Sequence, residues 1–256
     1  MGVKGKMTAI ADAIREKTGK TQALGLDAMA QSIPQVYDAG AKSEYDRFWD
    51  TFQKNGMLGH DYRNAFGPCW TKDNFYPKYD IAGANAGNGT FRFFSAERGT
   101  FDLAQRLEEC GVVFDTSQSA IIESTFYGAW TSRVPVISAV SANQNGLVTT
   151  FAYSTIYTID KLILRDDGTT AFSSTFTGCS NLTNMVIEGK IGKNGFNVRW
   201  SKKLTHDSLM SIIHALQDKT ADTSGTSWVV TLGAENLAKL TDGEKAIATE
   251  KGWTLA

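Results

Sequence analysis

The phrase Ser124-Thr125-Phe126-Tyr127-Gly128-Ala129 recurs twice further along the chain in similar form. It returns as Thr149-Thr150-Phe151-Ala152-Tyr153-Ser154 and as Ser174-Thr175-Phe176-Thr177-Gly178-Cys179, so the three phenylalanines are 25 residues apart. An aliphatic segment that favours a short β-strand follows each copy. A fixed period between about 20 and 50 residues is typical of solenoid proteins. We therefore predict that the three phenylalanines stack one above another along a solenoid.

Weaker copies extend the repeat towards the N-terminus, for a total of about five coils. One contains Phe93 and the other Phe66, at spacings of 33 and 27 residues that depart from the regular period. A helical insert is predicted at Leu103 to Glu109, on the outer face of one coil. The predicted repeat region as a whole covers residues 60–204.

Two segments precede the repeats. Residues 1–39 contain two short predicted helices with only two or three apolar residues each, too few for a core, so we expect this segment to attach to a partner. Residues 40–59 carry four aromatic residues at the spacing of one helix face: Tyr45, Phe48, Trp49 and Phe52. We interpret this helix as a lid, because the end coil of a solenoid otherwise exposes strand edges. The alternative, a ligand or trimer contact, stays open.

Residues 205–256 are predicted to close the far end of the repeats. Thr205 begins an amphipathic helix with Leu209, Ile212 and Ile213 on one face. The remaining predicted elements follow in chain order: a strand at Trp228 to Leu232, one or two helices between Ala234 and Lys251, and a strand at Trp253 to Leu255. We expect a C-terminal α/β cap.

Composition limits the classes of partner. The chain has 26 Lys and Arg residues against 27 Asp and Glu, a net charge of −1 at pH 7. Nucleic-acid-binding proteins usually carry a basic surface, so we expect no nucleic-acid partner. The sequence has no apolar run of the roughly 20 residues that span a bilayer and no secretion-signal pattern, so we expect no membrane insertion.

Known catalytic and cofactor motifs are absent from the sequence. Gly19-Lys20-Thr21 is not a P-loop, because the first glycine of that motif would fall at Ile14. Asp166-Asp167-Gly168 favours a tight turn over a cation loop. We expect a non-enzymatic protein with no cofactor and no metal. A glycan-active enzyme, the less favoured alternative, would need two carboxylates about 5 to 10 Å apart across a groove.

Surface aromatic residues are the candidate binding groups. If the repeated phenylalanines point inward, four neighbouring aromatic residues can point outward along one ridge: Tyr127, Trp130, Tyr153 and Tyr157. Exposed Tyr and Trp are common at recognition sites. The alternative is that some of them only bridge adjacent coils.

The segment Phe176-Thr177-Gly178-Cys179-Ser180-Asn181-Leu182-Thr183-Asn184-Met185-Val186-Ile187 resembles the BspA-like leucine-rich repeat of bacterial surface proteins. The resemblance covers roughly residues 60–200. It implies an α+β fold, a short leucine-rich-repeat-like β-solenoid with helical N-terminal and α/β C-terminal caps. It also implies adhesion to a host surface.

The N-terminal segment carries a second resemblance. Ile10-Ala11-Asp12-Ala13-Ile14-Arg15-Glu16-Lys17-Thr18-Gly19, followed by Leu26-Asp27-Ala28-Met29-Ala30, resembles a segment of phage and prophage tail and baseplate proteins. It implies a virion-tail protein that binds other tail or baseplate proteins through residues 1–39 and a host-surface protein or glycan through the repeats. A homo-oligomer such as a trimer is implied, because tail fibres are trimeric. The alternative is a bacterial cell-surface adhesin or scaffold.

Overall fold

The computed structural model describes residues 12–16, 65–66, 75–94, 101–141 and 146–256. The chain divides into two compact units, Met1–Asn55 and Gly56–Ala256. In the first unit, residues 12–16 are helical and Ile14 is buried, which agrees with the helix predicted there. The second predicted helix and the predicted lid at residues 40–59 lie outside the described residues.

The second unit combines short parallel strands with four helices in its described residues. The helices are α1 (Leu103–Glu109), α2 (His206–Ala215), α3 (Ala234–Leu237) and α4 (Asp242–Glu250). The strands are β1 (Ile81–Ala82), β2 (Phe114–Asp115), β3 (Arg133–Val134), β4 (Ile137–Ala139), β5 (Thr158–Leu164), β6 (Asn184–Glu188), β7 (Trp228–Val230) and β8 (Trp253–Leu255). β1 pairs with β2, β5 pairs with β3, β4 and β6, and β7 pairs with β8, all in parallel.

The predicted fold class, a short leucine-rich-repeat-like β-solenoid with caps, is wrong. The described strands form three small separate sheets among helices, a mixed helix and strand arrangement with no continuous solenoid sheet. The repeated phrases are turns, in which Ser124 and Thr149 have φ of +56° and +49°. Neighbouring phrases pair through these turns, and of the described strands only β3, β4, β5 and β6 join in one sheet beside them.

The predicted stacking of the phenylalanines is confirmed. The Phe126 and Phe151 ring centroids are 5.7 Å apart, those of Phe151 and Phe176 are 5.5 Å apart, and both pairs are nearly parallel. Two further rings continue the stack, with Phe91 5.4 Å from Phe126 and Phe66 5.2 Å from Phe91. These five residues, the phenylalanine column, are at most 1% exposed. The column is therefore the core of the repeats.

The prediction that Phe93 belongs to the stack is wrong. Phe91, not Phe93, occupies the column, and Phe93 is exposed. The column spacing is thus 25 residues between Phe66 and Phe91 and 35 between Phe91 and Phe126. The longer spacing contains helix α1, whose predicted bounds are confirmed.

The repeated phrases pair with one another through their turns. We call these segments rungs 1 to 4: residues 89–94, 124–129, 149–154 and 174–179. In rung 2 the N–H groups of Ser124, Phe126 and Gly128 donate to carbonyls of rung 3 or the residue before it, at 2.8 to 3.0 Å. Rungs 1 and 3 donate to their next neighbours in the same pattern. This backbone ladder holds the column phenylalanines in register.

A buried threonine precedes the column phenylalanine in each of rungs 1 to 4. The Thr150 hydroxyl donates to the carbonyl of Ile122 at 3.0 Å, and the Thr175 hydroxyl donates to that of Leu147 at 2.6 Å. A buried hydroxyl is costly unless it is hydrogen-bonded. These bonds satisfy the hydroxyls and connect each rung to the chain that precedes its neighbour.

The C-terminal elements are confirmed, with slightly shorter bounds. Thr205 caps α2, which buries Leu209, Ile212 and Ile213. Helices α3 and α4 lie in the region where one or two helices were predicted. Helix α4 begins with a capping box between Thr241 and Glu244. β7 and β8 then pair in parallel.

Candidate ligand-binding surface

The second position after the column phenylalanine has an unusual backbone in every rung. Its occupants in rungs 1 to 4 are Phe93, Gly128, Tyr153 and Gly178, with φ of +56°, +63°, +59° and +73°. This left-handed conformation is easy for glycine and strained for a bulky side chain. Phe93 and Tyr153 are nevertheless 46% and 58% exposed, so about half of each residue stays accessible to solvent.

Aromatic and glycine residues alternate at this position because each ring covers the glycine of the next rung. A Cβ atom added to Gly128 would lie 2.8 Å from Cδ1 of Phe93. One added to Gly178 would lie 2.8 Å from Cδ1 of Tyr153. Each glycine therefore provides the space in which the preceding ring lies.

Tyr127 connects the two exposed rings. Its ring centroid is 5.4 Å from that of Phe93 and 5.6 Å from that of Tyr153, in edge-to-face arrangements. The Arg92 guanidinium lies over both Phe93 and Tyr127, at 5.2 and 5.4 Å from the ring centroids. We call these four residues, Arg92, Phe93, Tyr127 and Tyr153, the aromatic strip. It spans rungs 1 to 3.

The structure brings together two of the four predicted site residues, Tyr127 and Tyr153. Trp130 and Tyr157 occupy other positions of the repeat, four and six residues after a column phenylalanine. Trp130 is half-buried and its backbone N–H donates to the carbonyl of Phe94 at 2.7 Å. Tyr157 is 37% exposed beside the start of β5. Ligand binding by any of the four residues stays a prediction.

Sequence reasoning missed Arg92 and Phe93 as members of this surface. Phe93 was assigned to the core because rung 1 contains three phenylalanines within four residues. The available signal was the phrase Gly89-Thr90-Phe91, which matches Ser124-Thr125-Phe126 in its Thr-Phe pair. Aligning Gly89 with Ser124 places Phe91 in the column and Phe93 on the surface.

A row of hydroxyl residues flanks the same turns. Ser124, Thr149 and Ser174 occupy the second position before the column phenylalanine in rungs 2 to 4. The hydroxyl oxygens of Ser124 and Thr149 are 2.9 Å apart. The Ser124 carbonyl accepts a hydrogen bond of 3.1 Å from the Tyr127 N–H, which brings the two positions to the corners of one turn.

The four-stranded sheet carries charged side chains that pair with each other. Arg133 is 2.6 Å from a carboxylate oxygen of Asp160 and 3.6 Å from one of Asp102. The hydrogen bond to Asp160 is the main cause that raises the pKa of Arg133. Lys161 and Glu188 pair across β5 and β6 at 2.6 Å. These charges are satisfied within the chain.

A shallow cleft at the end of this sheet is lined by residues that include Val140, Glu188 and Gly189. Within it Arg165 pairs with Asp167, and this hydrogen bond is the main cause that lowers the pKa of the Asp167 carboxyl. Asp167 also accepts hydrogen bonds from Thr169. The turn predicted at Asp166-Asp167-Gly168 is therefore confirmed.

The described residues also limit the chemistry of the surface. Among them, no group of three or more His, Cys, Asp or Glu side chains could hold a metal ion. No helix in the described ranges is long and apolar enough to span a bilayer. Burial raises the pKa of the Cys179 thiol to about 12, so it is protonated at neutral pH.

Comparisons with models of protein families, with curated proteins and with solved structures found no match to this chain. The geometry of the aromatic strip and the sequence resemblances are therefore the basis for a functional proposal.

Proposed function

We propose that this chain is a non-enzymatic recognition protein of a phage or prophage tail. In this proposal the aromatic strip binds a receptor, a protein or glycan, on the host surface. Residues 1–39 attach the chain to other tail or baseplate proteins, and the chain works as a homo-oligomer in the virion tail.

One observation carries the receptor-binding role. Phe93 and Tyr153 are exposed rings on left-handed backbone, at a position where the other two rungs have glycine. This conformation costs a bulky residue about 1 kcal/mol or more. Strained residues that contribute little to the core are often retained for function. Exposed Tyr and Phe rings offer apolar faces to a ligand, and Tyr adds a hydroxyl for hydrogen bonds.

The tail location is supported by sequence alone. The phrase from Ile10 to Gly19 and its continuation to Ala30 resemble tail and baseplate segments. If residues 1–39 drive attachment or assembly, their removal should change the mass of the particle in light scattering. An unchanged mass for the truncated chain would contradict this role.

Receptor binding can be tested with isolated cell envelopes from a panel of gut bacteria. The full-length chain is compared with the double variant Phe93→Gly/Tyr153→Gly, which carries in rungs 1 and 3 the residue that rungs 2 and 4 already have. We expect the wild-type chain to bind one or more envelopes and the double variant to bind about tenfold more weakly or worse, as for loss of binding hot spots.

Val186→Ser is the matched control. Val186 is 50% exposed on β6, outside the strip, so its loss changes exposed apolar area without changing the rungs. Equal binding by wild type and double variant, or an equal loss in the control, would overturn the proposed role of the strip.

A further inference from the structure

The guanidinium of Arg92 places one positive charge beside the rings of the aromatic strip. It lies within about 5.5 Å of the centroids of Phe93 and Tyr127. The Arg92 side chain is also exposed to solvent. A guanidinium that uses its face to contact aromatic rings keeps its N–H groups available for hydrogen bonds.

Among the described residues, Arg92 differs from Arg133 in its ion pairs with carboxylates. Arg133, on the sheet, pairs with Asp102 and Asp160. Across the residues that the structure describes, no carboxylate forms an ion pair with Arg92, and its described side-chain contacts are the two rings. Within the described part of the chain, the guanidinium of the strip therefore has aromatic neighbours and no ion-pair partner.

Hydroxyl groups line the neighbouring edge of the rungs. Ser124 and Thr149 are hydrogen-bonded to each other, and Ser174 continues the row as an exposed residue. The hydrogen bond from the Tyr127 N–H to the Ser124 carbonyl joins the hydroxyl position and the aromatic position within one turn. The surface therefore combines aromatic faces, hydroxyls and a guanidinium that pairs with no carboxylate of the described residues.

We propose that the aromatic strip binds an anionic saccharide, with the rings against the C–H faces of sugar units and Arg92 paired with their carboxylates. This inference rests on the proposed function and names the chemical class of its receptor. The guanidinium fork matches a carboxylate in bidentate geometry. A neutral glycan would leave Arg92 unpaired, and an acidic peptide lacks the sugar faces that match consecutive rings. Charge and shape together favour the acidic saccharide.

Four probes separate these possibilities by titration calorimetry with the full-length chain: oligogalacturonate, its methyl ester, a neutral dextran oligomer and polyglutamate. We expect oligogalacturonate to bind most tightly and its affinity to fall when salt is raised from about 50 to about 500 mM. Arg92→Gln should weaken this binding by about 10- to 100-fold, the loss expected for a charge-assisted bond. Phe93→Gly/Tyr153→Gly should also weaken it.

Arg199→Gln is the matched control. Arg199 also lies over an exposed ring, 5.2 Å from the Trp200 centroid, but outside rungs 1 to 4, so its loss should leave the affinity unchanged. Far-ultraviolet circular dichroism of each variant checks that the fold is retained.

Three results would overturn the inference. They are equal affinity for the acid and its methyl ester, an unchanged affinity in Arg92→Gln, and an absence of oligogalacturonate binding. Tighter binding of polyglutamate would replace the saccharide with an acidic protein segment. If envelope binding requires Phe93 and Tyr153 but not Arg92, the proposed function stands and this inference alone fails.

Discussion

Two aromatic rows run along the same rungs, and they differ in almost every physical respect. The phenylalanine column is buried, its central rings are nearly parallel, and its residues lie at the centre of each turn. The rings of the aromatic strip belong to residues one or two positions after the column phenylalanines, and they contact each other edge to face. Phe93 and Tyr153 there are exposed on strained backbone. The comparison indicates that the column maintains the fold, whereas the strip is free to serve binding.

The largest effect should come from truncating the centre of the column. Phe151 contacts stacked rings on both sides and is 1% exposed. Phe151→Ala should lower the free energy of unfolding by about 3–5 kcal/mol, the usual cost of such a cavity. Urea denaturation measures the change. Tyr153→Ala is the matched control and should cost less than about 1 kcal/mol; similar losses in both variants would remove the distinction between the rows.

Replacing a glycine by alanine adds a methyl group, and the cost depends on what that methyl group contacts. Gly178→Ala would place it against an exposed ring, and Gly189→Ala against backbone. Gly178 and Gly189 both have positive φ, of +73° and +84°. An added Cβ would meet the exposed ring of Tyr153 in the first case and the carbonyl oxygen of Leu164, at 2.1 Å, in the second. Both variants should lose about 1 kcal/mol from backbone strain. Gly189→Ala should lose about 1–3 kcal/mol more from overpacking.

Thermal and urea unfolding of the two alanine variants test this order. If Gly178→Ala is the less stable variant, Tyr153 is held more rigidly than an exposed ring should be, and the strip then has a structural role.

The pH dependence of the free energy of unfolding tests the burial of Cys179 in rung 4. The pKa of the Cys179 thiol is about 12 in the folded chain, above the ordinary value of 9.0, because burial disfavours the thiolate. Between these values the unfolded chain loses its proton first, so stability should fall as pH rises. The slope attributable to Cys179 is at most about 1.4 kcal/mol per pH unit.

Cys179→Ala provides the comparison, because rung 2 has Ala129 at the equivalent position. Urea denaturation between pH 8 and pH 11 should show a shallower decline for this variant. Parallel declines in the two proteins would mean that the thiol is accessible to water in the folded state.

The regular spacing of three phenylalanines was enough to predict the column, because 25 residues return the chain to the same place. It was not enough to predict the fold class, since a period gives no information about whether neighbouring segments pair as strands or as turns. Positive φ at Ser124 and Thr149 decides for turns, and these residue types do not require that conformation. Helix α1 was predictable from its own apolar spacing.

The candidate surface was predictable only in part. Tyr127 and Tyr153 were predicted because they follow inward-pointing phenylalanines by one and two residues. Phe93 did not, because the Phe91-Arg92-Phe93-Phe94 sequence allows more than one alignment with the column. Arg92 was missed because the sequence does not show which groups surround it. The structure places its guanidinium beside two rings and gives it no carboxylate partner among the described residues.

The most direct test of the division between the two rows is the free energy of unfolding of Phe93→Gly/Tyr153→Gly, measured by urea denaturation. Glycine relieves the left-handed strain at both positions, so the double variant should unfold within about 0.5 kcal/mol of the wild type or be more stable. A loss of about 2 kcal/mol or more would show that the exposed rings support the fold, and would contradict the account.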